Sequence, residues 1–144
     1  MRFVNGEAMV RGQWVYVGGQ AGNKPSDAEK HAITVACERF INDILRPRFL
    51  PEVRPTEFNY CVEIFGKWHG TRYRFLQRYR NDRPDRYSER EFIVPFARLE
   101  YVGHDRFDLS YFRHTEKWWP VDRGVTLDEA LALFETKGIY HPVV

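Results

Sequence analysis

The sequence has few of the features that mark a secreted or membrane-spanning protein. No apolar run approaches the roughly 20 residues that a membrane-spanning helix needs, and the first residues lack the basic and apolar segments of a signal peptide. Only two of the 144 residues are cysteine. Cys37 lies in a helical pattern and Cys61 in a strand pattern, so two buried thiols in a reducing compartment fit better than a disulfide. We therefore expect a cytoplasmic protein with no membrane contact.

Residues with the spacing of a metal site or a catalytic motif are also missing from the sequence. The five histidines are scattered along the chain, at positions 31, 69, 104, 114 and 141. A metal-dependent nuclease needs clustered carboxylates with a lysine nearby, and Glu100 has no such lysine. Cys37 lies on the apolar stripe of its helix, where a thiolate would be costly. We predict no catalytic residue, no metal site and no cofactor, and we do not expect an enzyme.

What the chain does contain is 43% hydrophobic and 16% aromatic residues over a length typical of one domain. Residues 1–25 hold one apolar-alternating piece, QWVYVGG. We interpret this segment as an arm or a short strand, which pairs with a sheet edge or with another subunit.

Two capping boxes mark the starts of two helices. Ser26 stands three residues before Glu29, and apolar residues then recur at spacings of three and four as far as Ile44. The prolines of RPRFLPEVRP predict the end of this helix and an extended connector. Thr126 and Glu129 begin the second helix, and Gly138 stands where a left-handed cap is expected.

Between the helices the apolar period changes to two. EFNYCVEIF and TRYRFLQRYR, joined by GKWHG, predict one hairpin. FIVPFARLEYV and RFDLSYFRH predict a second across GHD, and KWWPV predicts a fifth strand. The predicted class is α+β: an antiparallel four- to five-stranded sheet with an N-terminal and a C-terminal helix packed on one face. Residues 26–138 form this single domain, and 139–144 form a C-terminal tail.

The second half of the chain carries a family resemblance. FARLEYVGHDRFDLSYFRHTEKWWPVDRGVTLDEALALF combines a strand ending in Tyr-Val, a strand of aromatic and basic residues, a tryptophan-bearing strand and a short capped helix. Together with ILRPRF, it resembles the bacterial domain-of-unknown-function family numbered three thousand and twenty-four, over roughly residues 28–136. The resemblance implies no activity and no catalytic residues, and residues 1–25 depart from the pattern of the family.

Arginine alternates with aromatic residues in RYRFLQRYR, residues 72–80. If Tyr73, Phe75 and Tyr79 face the helices, the arginines line the open face of the sheet. Residues 72–90 hold seven arginines against three acidic residues, so a polyanion meets this segment first. Arginines that bind phosphates, beside rings that stack on unpaired bases, suit single-stranded nucleic acid. The hypothesis of a nucleic-acid-binding site names Arg72, Arg74, Arg78, Arg80, Trp68 and His69.

Three alternatives stay open at the level of sequence. The same alternation places Cys61 and Glu63 on the arginine side, and acidic residues such as Glu100 there would make it a solvated, ion-paired surface. The second alternative is a protein–protein interaction module, or a homodimer formed through the arm or an edge strand, with no catalytic activity. A metal-independent ribonuclease, with His114 and Glu116 as the acid–base pair, is the third.

Overall fold

The computed structural model describes three short strands near the start of the chain and residues 24–83 and 90–143. The short strands are β1 (Phe3–Val4), β2 (Glu7–Val10) and β3 (Gln13–Tyr16), and they form an antiparallel sheet in the order β1-β2-β3. The sequence predicted at most one strand here. The end of the predicted piece QWVYVGG, residues 17–19, lies outside the described residues.

The first long helical segment begins at the predicted capping box. Glu29 donates its amide to Ser26 Oγ at 3.1 Å, and Ser26 donates its amide to Glu29 Oε1 at 3.2 Å. Helix α1 (Asp27–Phe40) continues through a π-helical turn (Ile41–Leu45) into α2 (Arg46–Phe49). The predicted extended connector at Arg46 is therefore wrong for its first four residues. Pro47 is the second residue of α2, which follows the π-helical turn directly.

The second predicted N-cap is present without the reciprocal bond of a full capping box, since Glu129 Oε1 accepts from Thr126 Oγ1 at 3.1 Å and not from the Thr126 amide. The end of this helix also differs from the prediction. Thr126 Oγ1 accepts from the Glu129 amide at 3.2 Å, and α3 runs over Leu127–Thr136. Lys137 ends α3 in an extended conformation, and Gly138 opens a 3₁₀ turn (Gly138–Tyr140) without a positive φ. The predicted left-handed cap at Gly138 is wrong because the chain turns there directly toward the core.

Five strands form the central sheet, in the order β4-β5-β6-β7-β8, with every neighbouring pair antiparallel. They are β4 (Tyr60–His69), β5 (Arg72–Arg80), β6 (Glu91–Gly103), β7 (Arg106–Phe112) and β8 (Trp118–Val125). The α+β class and the five-stranded antiparallel sheet are confirmed. The first hairpin turns later than predicted, at Gly70, whose φ of 62° suits glycine.

Phe75 of β5 is the aromatic centre of the core. Its ring centroid lies 6.3 Å from that of Phe40 in α1 and 5.0 Å from that of Phe134 in α3. Tyr140, from the segment predicted as a tail, packs edge-on against Phe134 at 5.0 Å. Its hydroxyl donates to Asp122 at 2.8 Å. Rings from both helices and from the 3₁₀ turn therefore meet on one strand of the sheet.

Both cysteines are free and buried in this core, as the sequence predicted. Burial raises the pKa of the Cys37 thiol far above its usual value. Since the thiolate is the nucleophilic form, Cys37 is inert at neutral pH.

A glycine in β4 makes room for one of the core rings. A methyl group added to Gly66 would lie 2.1 Å from Tyr73 Oη and 2.4 Å from its ring carbons. The Tyr73 ring cannot move away freely because Trp68 and Phe75 contact it at 5.5 and 5.3 Å between centroids. Gly66 therefore has a packing role that its place in a strand pattern does not reveal.

We expect Gly66→Ala to lower the free energy of unfolding by about 1–3 kcal/mol, because the new methyl overpacks the Tyr73 site. Urea unfolding followed by circular dichroism measures the change. Gly138→Ala is the matched control, since its added methyl meets nothing within 4 Å, and it should stay within about 0.5 kcal/mol of the parent or exceed it. Equal effects of the two substitutions would contradict the packing role of Gly66.

Candidate nucleic-acid interface

Strand β5 separates aromatic from basic side chains by its alternation. Tyr73 and Phe75 are each 1% exposed in the core, whereas Arg72, Arg74, Arg78 and Arg80 are all partly exposed. We use "arginine face" for the side of the sheet that carries these four residues and Arg98 of β6. Arg98 joins them because it is the direct cross-strand partner of Arg74.

Three arginines of this face donate to carboxylates of neighbouring strands. Arg72 Nε pairs with Glu100 of β6. Arg78 Nε lies 3.0 Å from Glu63 Oε2 in β4, and Arg80 Nη2 lies 3.0 Å from Glu91 Oε1 in β6. Around these three guanidinium groups the surface is the ion-paired, solvated type that the sequence left open as an alternative. Such exposed pairs each contribute little to stability.

Arg74 and Arg98 lack such carboxylates. Among the residues that the structure describes, neither makes a hydrogen bond or an ion pair, and both Nε atoms are buried without an acceptor. The two residues stand directly opposite each other across β5 and β6. Like charges in that position repel and destabilise a sheet. Within the described residues, the arginine face thus has two opposed cations at its centre that are not ion-paired.

An indole ring from β8 supports these two arginines. The Trp118 ring centroid lies 4.4 Å from the guanidinium carbon of Arg98 and 5.7 Å from that of Arg74. Both distances are within the range of cation–π attraction. Phe112 packs edge-on against Trp118 at 5.2 Å and holds the indole in place. We call Arg74, Arg98 and Trp118 the arginine–tryptophan cluster.

The local electrostatics of the cluster favour an added negative charge. Burial lowers the pKa of the Arg98 guanidinium, and the positive charges of Arg72 and Arg74 lower it further, against an opposite effect of Glu100. Lys67 of β4 is exposed and stands directly opposite Arg74. Three cations from three adjacent strands therefore form one row, Lys67, Arg74 and Arg98.

The two ring residues of the nucleic-acid hypothesis lie in different places. His69 is exposed and is the cross-strand partner of Arg72, so it stands at the end of the arginine face. Trp68 lies on the side of α1, where its Nε1 donates to Thr34 Oγ1 at 2.7 Å and its ring contacts Tyr73. The structure brings the four arginines and His69 together and places Trp68 apart from them.

The expected position of Cys61 on the arginine side is wrong. The β4–β5 register shifts between Cys61 and Glu63, so that Cys61 pairs with Tyr79 while Glu63 pairs with Arg78. This bulge inserts one extra residue and turns Cys61 into the core, where Gln77 Nε2 lies 3.7 Å from its Sγ. Glu63 keeps the predicted side and meets Arg78.

With the sheet and its arginine face described, comparison with known proteins identifies a family. A family model described as a domain of unknown function, DUF3024, matches residues 25–142. The chain belongs to the DUF3024 family. The match confirms the resemblance seen in the sequence and spans both helical segments and all five strands of the central sheet. No curated protein and no solved structure matches the chain.

The other candidate sites of this DUF3024 domain offer weaker indications of a function. His114 and Glu116, the residues of the ribonuclease alternative, are exposed in the turn between β7 and β8 and border a cleft of about 740 Å³. In the described residues, no three side chains of the types that bind metals come together. None of the described helices has the length and apolarity to cross a membrane.

The repulsion in the cluster predicts an unusual effect of mutation. Arg98→Met should leave the free energy of unfolding unchanged or raise it by up to about 1 kcal/mol, because it removes a buried unpaired donor and a like-charge contact while keeping an apolar stem on Trp118. Arg72→Met is the control, and loss of the Glu100 pair should lower stability by about 0.2–1 kcal/mol. Urea unfolding at low salt, without multivalent anions, compares the two. A loss for Arg98→Met as large as for Arg72→Met would show that the cation–π contact of Arg98 with Trp118 outweighs the repulsion from Arg74.

Proposed function

We propose that this DUF3024 domain binds single-stranded nucleic acid through its arginine face, with Arg74 and Arg98 as the primary phosphate contacts. One observation carries the proposal: two adjacent guanidinium groups make no ion pair with a carboxylate among the described residues and are supported by one indole ring. A phosphate between them would replace their mutual repulsion with two charge-assisted contacts.

The geometry of the arginine pair suits a phosphate. Both Nε atoms are buried, so contact with a ligand falls to the Nη atoms. Directly opposite residues of an antiparallel pair have Cβ atoms about 4.5–5.5 Å apart, which allows one phosphate to accept from both guanidinium groups. Stacking on Trp118 restricts the rotation of both side chains, and less entropy is lost when a ligand binds.

The row of Lys67, Arg74 and Arg98 supports a strand-like ligand over a single small anion. The row crosses β4, β5 and β6, whose spacing is about 4.8 Å per strand. A nucleic-acid backbone laid along the row would meet a cation on each strand. Glu63, Glu91 and Glu100 lie on the same face and hold the neighbouring arginines, which predicts weak binding.

The proposal also requires that the arginine face be open. We infer that α1 and α3 both cover the opposite face. Phe40 of α1 and Phe134 of α3 both contact Phe75, and Phe75 is the neighbour of Arg74 in an alternating strand. Helices on one face leave the other available to a flexible strand, as in other sheets that bind single-stranded RNA.

A salt titration of oligonucleotide binding tests this function. Fluorescence anisotropy with labelled oligo(dT) and oligo(U) should show affinity that falls with salt, with a slope of about −1.4 to −2.1 in log K against log salt for two or three neutralised phosphates. Replacing both Arg74 and Arg98 with alanine should make that negative slope shallower by about 1.4. Absence of binding at the lowest salt would overturn the proposal.

The matched control for this titration is Arg80→Ala. Arg80 is on the same strand and face but donates to Glu91 at 3.1 and 3.0 Å, so its loss should change the slope by less than half as much as loss of one unpaired arginine. Equal slopes for Arg80→Ala and Arg74→Ala would indicate nonspecific attraction to net charge. Circular dichroism confirms that each variant is folded.

A further inference from the structure

A buried glutamine in β5 binds the main chain of a segment near the end of the described residues. Gln77 is 1% exposed. Its Nε2 donates to the Val143 carbonyl at 2.7 Å, and its Oε1 accepts from the Val143 amide at 3.1 Å. Tyr79 Oη donates to the same carbonyl at 2.7 Å. Both main-chain groups of Val143 are therefore bound, while its side chain is 75% exposed.

This contact recognises main chain and ignores the side chain at the bound position. A side-chain amide that both donates to and accepts from one residue reproduces the pairing that a neighbouring β-strand would offer. Extended peptides are bound in this way at the edges of sheets, where main-chain hydrogen bonds give affinity and pockets give specificity. Gln77 and Tyr79 are thus a receptor for one residue of extended chain.

The position of Gln77 makes it dependent on such a ligand. It faces the core side of β5, between Phe75 and Tyr79 in the alternation. A buried amide without partners is costly, whereas an apolar residue at the same place needs none. The other described hydrogen bond of Gln77 is a weak one, from Nε2 to Cys61 Sγ at 3.7 Å, so the buried amide is satisfied mainly by the extended segment.

Two cavities flank the bound segment. One of about 600 Å³ has Phe49, Leu50 and Tyr60 in its walls, and the other, of about 740 Å³, has Phe92, Phe96 and Phe112. Both are bordered by Asn59, Tyr79 and Val143. The segment His141–Val143 therefore lies where the two cavities meet, and its departure would join them into one groove with a receptor for main chain in the middle.

We propose that this groove is a binding site for an extended, apolar peptide segment of another polypeptide, which the chain's own His141–Val143 occupies as an intramolecular competitor. The residue bound by Gln77 must keep its N–H, which excludes proline there. The residues before and after it point away from its own exposed side chain, because successive side chains alternate in an extended chain. Both therefore face the apolar walls of the cavities. Aromatic or leucine side chains would fill them better than the residues of the chain's own segment.

Only a few residues need to move for this exchange. Tyr140 is anchored in the core by Phe134 and by its hydrogen bond to Asp122. Pro142 is buried, whereas Val143 is held through its main chain alone. Displacement therefore hinges at His141 and leaves the central sheet and α3 intact.

Peptide binding to the full chain tests the proposal. The probe is a fluorescent peptide with the sequence GIYHPVV, residues 138–144, and the readout is anisotropy. Pro142→Asp disfavours seating of the chain's own segment, because it would bury a charge. We expect this variant to bind the probe at least about tenfold more tightly than the parent, since it loses a competitor at roughly millimolar effective concentration.

Two controls show whether main chain is recognised. A probe N-methylated at the residue equivalent to Val143 should bind Pro142→Asp at least about fivefold more weakly, because it lacks the donor to Gln77 Oε1. Val143→Thr changes only an exposed side chain and should bind the probe like the parent protein. Adding Gln77→Met to Pro142→Asp should abolish binding.

Val143→Pro provides a second route if Pro142→Asp does not fold. It removes the Val143 N–H and one of the three hydrogen bonds that hold Val143, so it too should bind the probe more tightly than the parent. Equal binding of methylated and unmethylated probes would overturn the proposal. So would folded opened variants that bind no better than the parent.

Discussion

The packing of Phe75 is the constraint on which the rest of the structure depends. Rings from α1, β5, β6 and α3 surround it, from Phe40, Tyr73, Phe96 and Phe134. Because neighbours in a strand point to opposite sides, fixing Phe75 in the core fixes Arg74 on the other face. The position of Arg98 follows from the register between β5 and β6. A core contact thus determines the position of two like charges whose direct opposition is itself unfavourable.

At this charged pair, and at Lys67 opposite Arg74, the described part of the arginine face departs from the pairing of opposite charges that its neighbours show. Around Arg72, Arg78 and Arg80, opposite charges meet across strands, which keeps the register and the solubility of the sheet. At Arg74 and Arg98, like charges meet over an aromatic ring. Departures of this kind from local consistency are expected at functional sites, where a ligand completes the interaction. The same logic applies to Gln77, a polar residue in an apolar core whose partner is a segment of main chain.

Much of this fold was predictable because its signals are local. The capping box of α1, the N-cap of α3, the two hairpins and the fifth strand each depend on residues a few positions apart, and each is present. The errors have physical causes. Pro47 is accommodated inside a helical segment because a π-helical turn precedes it. One extra residue at Val62 turns Cys61 into the core, and a bulge leaves little trace in an alternating pattern.

The candidate site was predictable only in part. Alternation in residues 72–80 was enough to group the arginines, but it did not indicate which of them lack acidic partners. That distinction depends on the β5–β6 register and on the approach of Trp118 from β8, which are set by long-range packing. Trp68 illustrates the same limit, since its place beside Thr34 depends on how α1 docks. The contact between Gln77 and Val143 joins residues 66 positions apart and has no local signal.

A double-mutant cycle on Arg74 and Arg98 would test most directly whether these two cations need an anion. The cycle compares the free energies of unfolding of the parent, both single methionine variants and the double variant, at low salt. Repulsion predicts an unfavourable coupling energy of about 0.5–1 kcal/mol, which should become favourable when an oligonucleotide is added. A coupling energy that is zero or favourable without any anion would contradict the proposal that this pair binds phosphate.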